Sequence, residues 1–360
     1  MRRFAAFAPL LFAAGLGACA GSGPAQPTPS ATPRTFVMGF TPIPPRPDNA
    51  LAIRVIDLWA TRADAGLLLY EPPWAQLLAG QDAEALVRAN ELGLANYYRG
   101  KGLRLIASID PTNGLDRSAE APGLAALGRS LAEPEVRAAY ARYVAAFASV
   151  IRPESLSVAS ETNLVRAAAP PALYQGLVSA AAAAAAEARR AAPATRVFVT
   201  VQVEVAWGRL GAGGAFVGIA RDRADFPFTE ALGLSSYPYL GGFVEPEELP
   251  LDYYTRLLEG GAPLPPMVIE GGWTSASLGA FASSADKQRR YVERHVRILD
   301  AARAAGCFQI TFTDLDLPAL GLPPGSILPL FAANGLVDVN LAPKPALAAW
   351  DAAFGRPYRP

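Results

Sequence analysis

Eight short, continuously apolar runs recur along the chain with helix-like segments between them, and this recurrence constrains the fold more than any other feature. The runs begin at Thr35 (TFVMGF), Gly66 (GLLLY), Leu103 (LRLIASI), Ser155 (SLSVAS), Arg196 (RVFVTVQV), Ala231 (ALGLSS), Met267 (MVIE) and Phe308 (FQITFT). Their starts lie about 30 to 50 residues apart, room for one strand, a loop and one helix. Strands that are apolar throughout, rather than alternating, belong in a parallel sheet covered by helices. Between them, EPEVRAAYARYVAAFASVI carries Tyr140, Tyr143 and Phe147 on one face. The segment PPALYQGLVSAAAAAAAEARRAA is nearly all strong helix former and reads as an alanine-rich helix packed closely on the sheet. Eight strand–helix units predict a single (β/α)8 barrel over residues 35–360. An open doubly wound sheet is the alternative. No G-x-G-x-x-G follows the first strand and no P-loop occurs, which counts against that alternative, and no cofactor is expected.

The first 34 residues do not belong to this pattern. Arg2 and Arg3 precede an apolar run of secretory-signal length, and the run ends in Leu16-Gly17-Ala18-Cys19. That tetrad resembles the lipobox of bacterial lipoproteins. It implies that residues 1–18 are a signal peptide and that Cys19 is lipidated, a palmitate-type anchor in the bilayer. An ordinary signal peptide with a chance cysteine is the other reading. Residues 19–34 are small, polar and proline-rich, the composition of a flexible tether. Ala20 after the cysteine, by analogy with known lipoproteins, implies the outer membrane, facing periplasm or exterior.

Composition excludes several function classes. The chain has 32 basic and 32 acidic residues in 360 and no basic run, so nucleic acid is not an expected partner. A monomer is expected. After Cys19 only Cys307 remains, so the barrel has no internal disulfide. His295 is the one histidine, in a charged helix where packing or solvation accounts for it. Ser-His-Asp and Cys-His catalysis and most zinc sites need a histidine at the site. No metal-ligand cluster is visible, and any proton chemistry falls to carboxylates.

In a barrel of this kind the active site is built at the C-terminal strand ends. Those ends deliver Glu71 and Trp74 (second), Asp110 (third), Glu161 and Asn163 (fourth) and Glu204 and Trp207 (fifth). The later strands deliver Tyr237 and Tyr239 (sixth), Glu270 and Trp273 (seventh) and Asp314 (eighth). Acids, amides and aromatics together suit a sugar, whose C–H faces stack on rings and whose hydroxyls need polar partners. Glycoside hydrolysis needs two opposed carboxyls, about 5 to 5.5 Å apart in a retaining enzyme. Glu161 and Glu270, from strands that face each other across the mouth, meet that need. Each has a plainer reading, Glu270 as a cap or ion-pair partner and Glu161 as a loop cap. Trp74, Trp207 and Trp273 have the alternative of ordinary packing.

The motifs SVASETNL, MVIEGGW, LGLSSYPYL and GLVDVNLAPKPALAAW, in that order, resemble clan A of the glycoside hydrolases. Closest in pattern are the arabinogalactan endo-β-1,4-galactosidases and related secreted endo-glycosidases. The resemblance covers most of residues 35–355. It implies a TIM barrel, Glu161 as acid/base, Glu270 as nucleophile and Tyr237 hydrogen-bonded to Glu270. It further implies a retaining cleavage of an oligo- or polysaccharide, with Glu161 kept protonated beside the charged Glu270. Trp273, Trp207, Asn163, Asp110, Glu71, Trp74, Tyr239 and Asp314 are expected around the sugar, and Gly271 and Gly272 are expected to let substrate or backbone come close. Two positions depart from the clan. Ser160 stands where members usually carry Asn, and Asp314 where the eighth strand often delivers Trp. Those departures keep a second reading open, a carbohydrate-binding lipoprotein on the same barrel; a third is a structural envelope lipoprotein without ligand.

Overall fold

The computed structural model describes residues 32–210 and 213–360, so Cys19, the leader and all but the last residues of the tether lie outside the described residues. All eight expected strands form. They are β1 (Val37–Phe40), β2 (Ala65–Tyr70), β3 (Arg104–Ile109), β4 (Ser155–Ser157), β5 (Arg196–Gln202), β6 (Leu232–Ser236), β7 (Pro266–Gly271) and β8 (Gly306–Gln309). They pair in sequence order, every neighbour parallel, and β8 closes on β1. The (β/α)8 barrel expected from the sequence is the fold of residues 33–360, which hold all eight strands.

The continuous apolar runs resolve into two faces, as the two-residue period of a strand requires. Val37, Leu67, Ile106, Phe198, Met267, Ile269 and Phe308 pack with one another as one cluster filling the barrel. Their immediate neighbours Met38, Leu68, Leu105, Val197, Val268 and Cys307 join the larger core under the helices. Both faces are buried, so no alternation shows in the sequence. Gly39 makes room for this filling: a Cβ there would meet the Phe308 ring at 2.6 Å.

Outside the sheet, the helix Pro134–Ile151 buries Tyr140, Tyr143 and Phe147 completely. The Tyr140 hydroxyl donates to the carbonyls of Ile109 (3.0 Å) and Val158 (2.7 Å), which ties the end of β3 to the chain leaving β4. The alanine-rich helix Pro171–Ala191 packs chiefly on this helix rather than on the sheet. Its buried Ala180, Ala181, Ala184, Ala185 and Ala188 present no bulk, so two helix backbones approach closely. His295 and Cys307 meet in the core. Burial pushes the imidazole down to about 3, its Nε2 lies 2.8 Å from the Tyr254 hydroxyl, and it packs as a neutral group.

Candidate active site

Two hollows open at opposite ends of the barrel. The smaller, about 290 Å³, lies at the N-terminal strand ends, and two of its four charged side chains, Arg104 and Glu154, are paired to each other. The larger, about 710 Å³, lies at the C-terminal ends and is lined by Glu161, Glu270, Tyr237, Gln202 and Arg117 together with many aliphatic side chains. Its position is where barrel chemistry is built.

Glu161 is placed by backbone strain. It follows the bend after β4 with φ 47 and ψ 46, the left-handed region that non-glycine residues rarely adopt. Its N–H donates to Thr200 Oγ1 at 2.8 Å, and its carbonyl accepts from Leu164 and Val165 in the helix Thr162–Ala168. That arrangement leaves its side chain free of capping duty. The carboxylate accepts from Arg117 Nε (2.9 Å) and from Ser235 Oγ (2.6 Å). Arg117, itself buried, also donates from Nη1 to Asp110 Oδ2 at 2.6 Å, so one guanidinium joins two carboxylates.

Glu270 is placed by a β-bulge. Leu234 pairs with Val268 but Ser235 pairs with Glu270, so Ile269 is an extra residue on β7. A bulge of this kind re-aims the next side chain. Here Ile269 stays in the barrel filling while Glu270 turns to the cavity. The Tyr237 hydroxyl donates to Glu270 Oε1 at 2.8 Å, the bond expected from the sequence. Burial first, then the charge on Glu161, push the Glu270 carboxyl up to about 7, against the pull of Arg117 and of the Tyr237 bond. Gly271 allows close approach of backbone: a Cβ there would stand 2.7 Å from the Ser236 carbonyl oxygen.

Glu161, Glu270 and Tyr237 therefore share the cavity, and Asp110 reaches it through Arg117. The other expected residues lie away from its lining. Asn163 clamps the end of β5, donating to the Gln202 carbonyl (2.8 Å) and accepting from the Gln202 N–H (2.7 Å). Trp273 is fully buried among Tyr239, Phe281 and Tyr291. Trp207 stacks on Tyr253. Trp74 is buried and tilted against Tyr140. Glu71 accepts from the Gly123 N–H. Tyr239 donates to the Leu330 carbonyl at 3.0 Å, and Asp314 pairs with Lys344 at 2.6 Å. The shared reason is that each of these side chains is already engaged inside the fold, by a hydrogen bond, an ion pair or ring packing, although the buried Trp74 Nε1–H has no hydrogen-bond partner. Ser160 likewise faces Ser108, with hydroxyls 3.3 Å apart.

Sequence reasoning passed over Arg117, Ser235 and Thr200. Arg117 sits seven residues beyond Asp110 in a loop that carries no motif, and only the fold returns it to Glu161. Glu204, delivered by the end of the fifth strand, is fully buried. It accepts from the Tyr253 hydroxyl (2.8 Å), Ser236 Oγ (3.1 Å) and the Tyr237 N–H (3.1 Å), so it fixes the backbone that carries Tyr237. Burial raises its carboxyl. Among the described residues no three His, Cys, Asp or Glu side chains gather as a metal site.

No protein-family model and no curated protein matches the sequence. Solved structures do match in fold. The chain is similar to the exo-beta-1,4-mannosidase Op5Man5 from Opitutaceae bacterium strain TAV5, with TM-score 0.66 and 16% identity over 91% of this chain and 61% of that one. It thus spans somewhat less than two thirds of that protein. It is similar to GH5_18 from Streptomyces cattleya, with TM-score 0.64 and 18% identity over 91% of this chain and 83% of that one. It is also similar to the Ignisphaera aggregans GH53 catalytic domain, with TM-score 0.62 and 15% identity over 91% and 99%. The barrel resemblance to clan A glycoside hydrolases is thereby shown, as a likeness of fold.

Proposed function

We propose that this protein is a retaining glycoside hydrolase whose nucleophile is Glu270 and whose acid/base is Glu161. The observation that carries this reading is the pair of carboxyls aimed into one cavity from β4 and β7, each set there by a local backbone irregularity. In the first step the Glu270 carboxylate attacks the anomeric carbon as the bond to the leaving oxygen breaks, and Glu161 gives that oxygen a proton. In the second, Glu161 takes a proton from water, whose oxygen displaces Glu270 from the sugar. In the resting site Arg117 donates to Glu161, while burial and the neighbouring Glu161 raise Glu270. The reaction needs a proton on Glu161 and charge on Glu270, and the Tyr237 donor supports that charge on Glu270.

The Arg117–Glu161 ion pair favours a second reading, a carbohydrate-binding protein without turnover, because an acid held as a carboxylate has no proton to give. Hydrolysis of a panel of aryl glycosides and polysaccharides by the barrel, beside Glu161→Gln and Glu270→Gln, decides between them. Loss of turnover by about 10²-fold or more in both variants is expected of the enzyme. Binding without turnover selects the second reading, and turnover unchanged by either substitution overturns the assignment. We also infer from the leader and Cys19 that the barrel is carried on a lipid anchor in the bacterial envelope. Incorporation of labelled palmitate that persists in Cys19→Ala would refute this.

A further inference from the structure

The floor and the mouth of the cavity are chemically unlike. The floor holds Glu161, Glu270, Tyr237 and Arg117. The walls above it are largely aliphatic, with Asp116, Ser118, Gln202 and Thr311 the polar side chains among them. Leu115, Ile327 and Leu330 line the mouth and stand 49%, 36% and 36% exposed, three of the nine exposed large hydrophobic residues among those described. Deeper in, Leu164, Leu240 and Phe331 continue the wall. The Phe331 ring packs on Tyr237 with centroids 4.7 Å apart, so the apolar surface begins at the very residue that donates to Glu270. The wall is held in place: the Leu330 carbonyl accepts from the Tyr239 hydroxyl, and the Leu315 N–H donates to the Ala332 carbonyl at 2.8 Å.

A polysaccharide chain suits such a wall poorly. Along the leucines its hydroxyls would be desolvated, with few polar side chains (Asp116, Ser118, Gln202 and Thr311) to replace water, and the indoles of Trp74, Trp207 and Trp273, which could stack on sugar faces, are used in packing. Methylenes gain from the same contact. Because the apolar surface runs out to solvent at Leu115, Ile327 and Leu330, its occupant is long enough to leave the cavity, as a chain is and a compact ring is not. Three aliphatic side chains around one mouth also form the kind of patch that marks a binding surface.

We propose that the cavity takes an amphiphilic glycoside, its sugar over Glu161 and Glu270 and its aglycone a linear alkyl or acyl chain along the Leu115–Ile327–Leu330 wall. This rests on the reading that the two carboxyls address a sugar, and the experiment separates the two. Calorimetry on the Glu270→Gln barrel compares methyl with n-octyl β-D-glycosides of glucose, galactose, mannose and N-acetylglucosamine, kept below micelle formation, with phenyl glycosides and octanol alone beside them. For at least one sugar the octyl form is expected to bind about 100-fold tighter than the methyl form, the effect of roughly three to four buried methylenes. That ratio should fall at least about tenfold when Leu115→Ser and Ile327→Ser are added together, both being rim positions where a polar side chain meets water. It should hold in Leu251→Ser, a control at a residue equally exposed but outside the cavity.

Equal binding of methyl and octyl forms, no binding of any octyl glycoside, or a ratio untouched by the rim substitutions overturns the proposal. So does octanol binding as tightly as its glycosides, which would make the sugar irrelevant, or a phenyl glycoside matching the octyl one, which would make the aglycone a compact ring. Octanol release by the unsubstituted barrel is the separate arm. A binding gain that survives without any release leaves the amphiphilic ligand standing and removes the hydrolase reading alone.

Discussion

The ends of β4 and β7 each present a glutamate to the same cavity, yet they do so by different means and with different electrostatic results. At β4 a strained residue is tied by its N–H to Thr200 of β5, and its carboxylate is met by a guanidinium and a hydroxyl. At β7 an extra residue in the strand turns the side chain, and its carboxyl meets one tyrosine. Burial and the charge on Glu161 then raise Glu270, while Arg117 faces Glu161 directly and acts on Glu270 only across space. Two residues of one type, in positions related by the barrel, thus meet unlike electrostatic surroundings. The neighbours, and not the glutamates, set which way the pair is poised.

Removing Arg117 breaks this difference most severely. Arg117→Met leaves the buried Glu161 and the partly buried Asp110 without their shared cation, at a cost of roughly 3 to 5 kcal/mol, read as a fall in Tm. Arg117 also holds Glu270 down, so any surviving turnover should lose its acid limb to higher pH. A variant as stable as the parent would show that the ion pair is not what holds this end of the site.

The next effect belongs to Glu270 itself. Its folded carboxyl lies above the ordinary value of 4.5, so between that pH and about 7 the folded chain keeps a proton that the unfolded chain has lost. Stability from this group is therefore present at low pH and declines as pH rises through that window. Glu270→Gln removes the decline. The variant should exceed the parent by on the order of 3 kcal/mol at pH 8 and match it at pH 4. Equal stability at both values, by denaturant titration, would mean that Glu270 is not raised. Tyr237→Phe acts on the same carboxyl through one bond. It should slow turnover roughly 10-fold, about 1 to 1.5 kcal/mol, and carry the acid limb to higher pH, because the lost donor favoured the charged form. An unmoved pH profile would count against the Tyr237 role.

The barrel was legible in the sequence because eight buried parallel strands leave eight apolar runs at regular spacing, whatever their helices do. The two glutamates were legible for the same reason, each closing such a run. What surrounds them was not. Arg117 is joined to Glu161 across 44 residues, and Ser235 across 74, and neither contact leaves a local pattern. The three tryptophans after strands looked like sugar platforms because position beyond a strand end is visible in sequence. The direction in which an indole turns is not, and Trp74, Trp207 and Trp273 all turn into protein. The aliphatic wall was missed because Leu115, Ile327 and Leu330 come from two loops with no periodicity, and leucines in loops carry no chemical signature of their own.

The smallest effect tests how Glu161 keeps its conformation. A left-handed φ at a glutamate persists only if its surroundings impose it, and the Thr200 hydroxyl is the one side chain that takes its N–H. Thr200→Val keeps the volume and removes the acceptor, leaving a buried donor unpaired at about 1 kcal/mol or slightly more. Thr200→Ser keeps the acceptor and should restore most of the loss. Turnover in Thr200→Val should fall several-fold through kcat rather than KM, since the displaced group would be the acid/base and not a binding contact. If Val and Ser behave alike in both stability and kcat, the hydrogen bond is incidental and the helix Thr162–Ala168 alone fixes Glu161. The two glutamates would then be alike in one respect after all, each placed by the path of its own chain without help from a neighbouring strand.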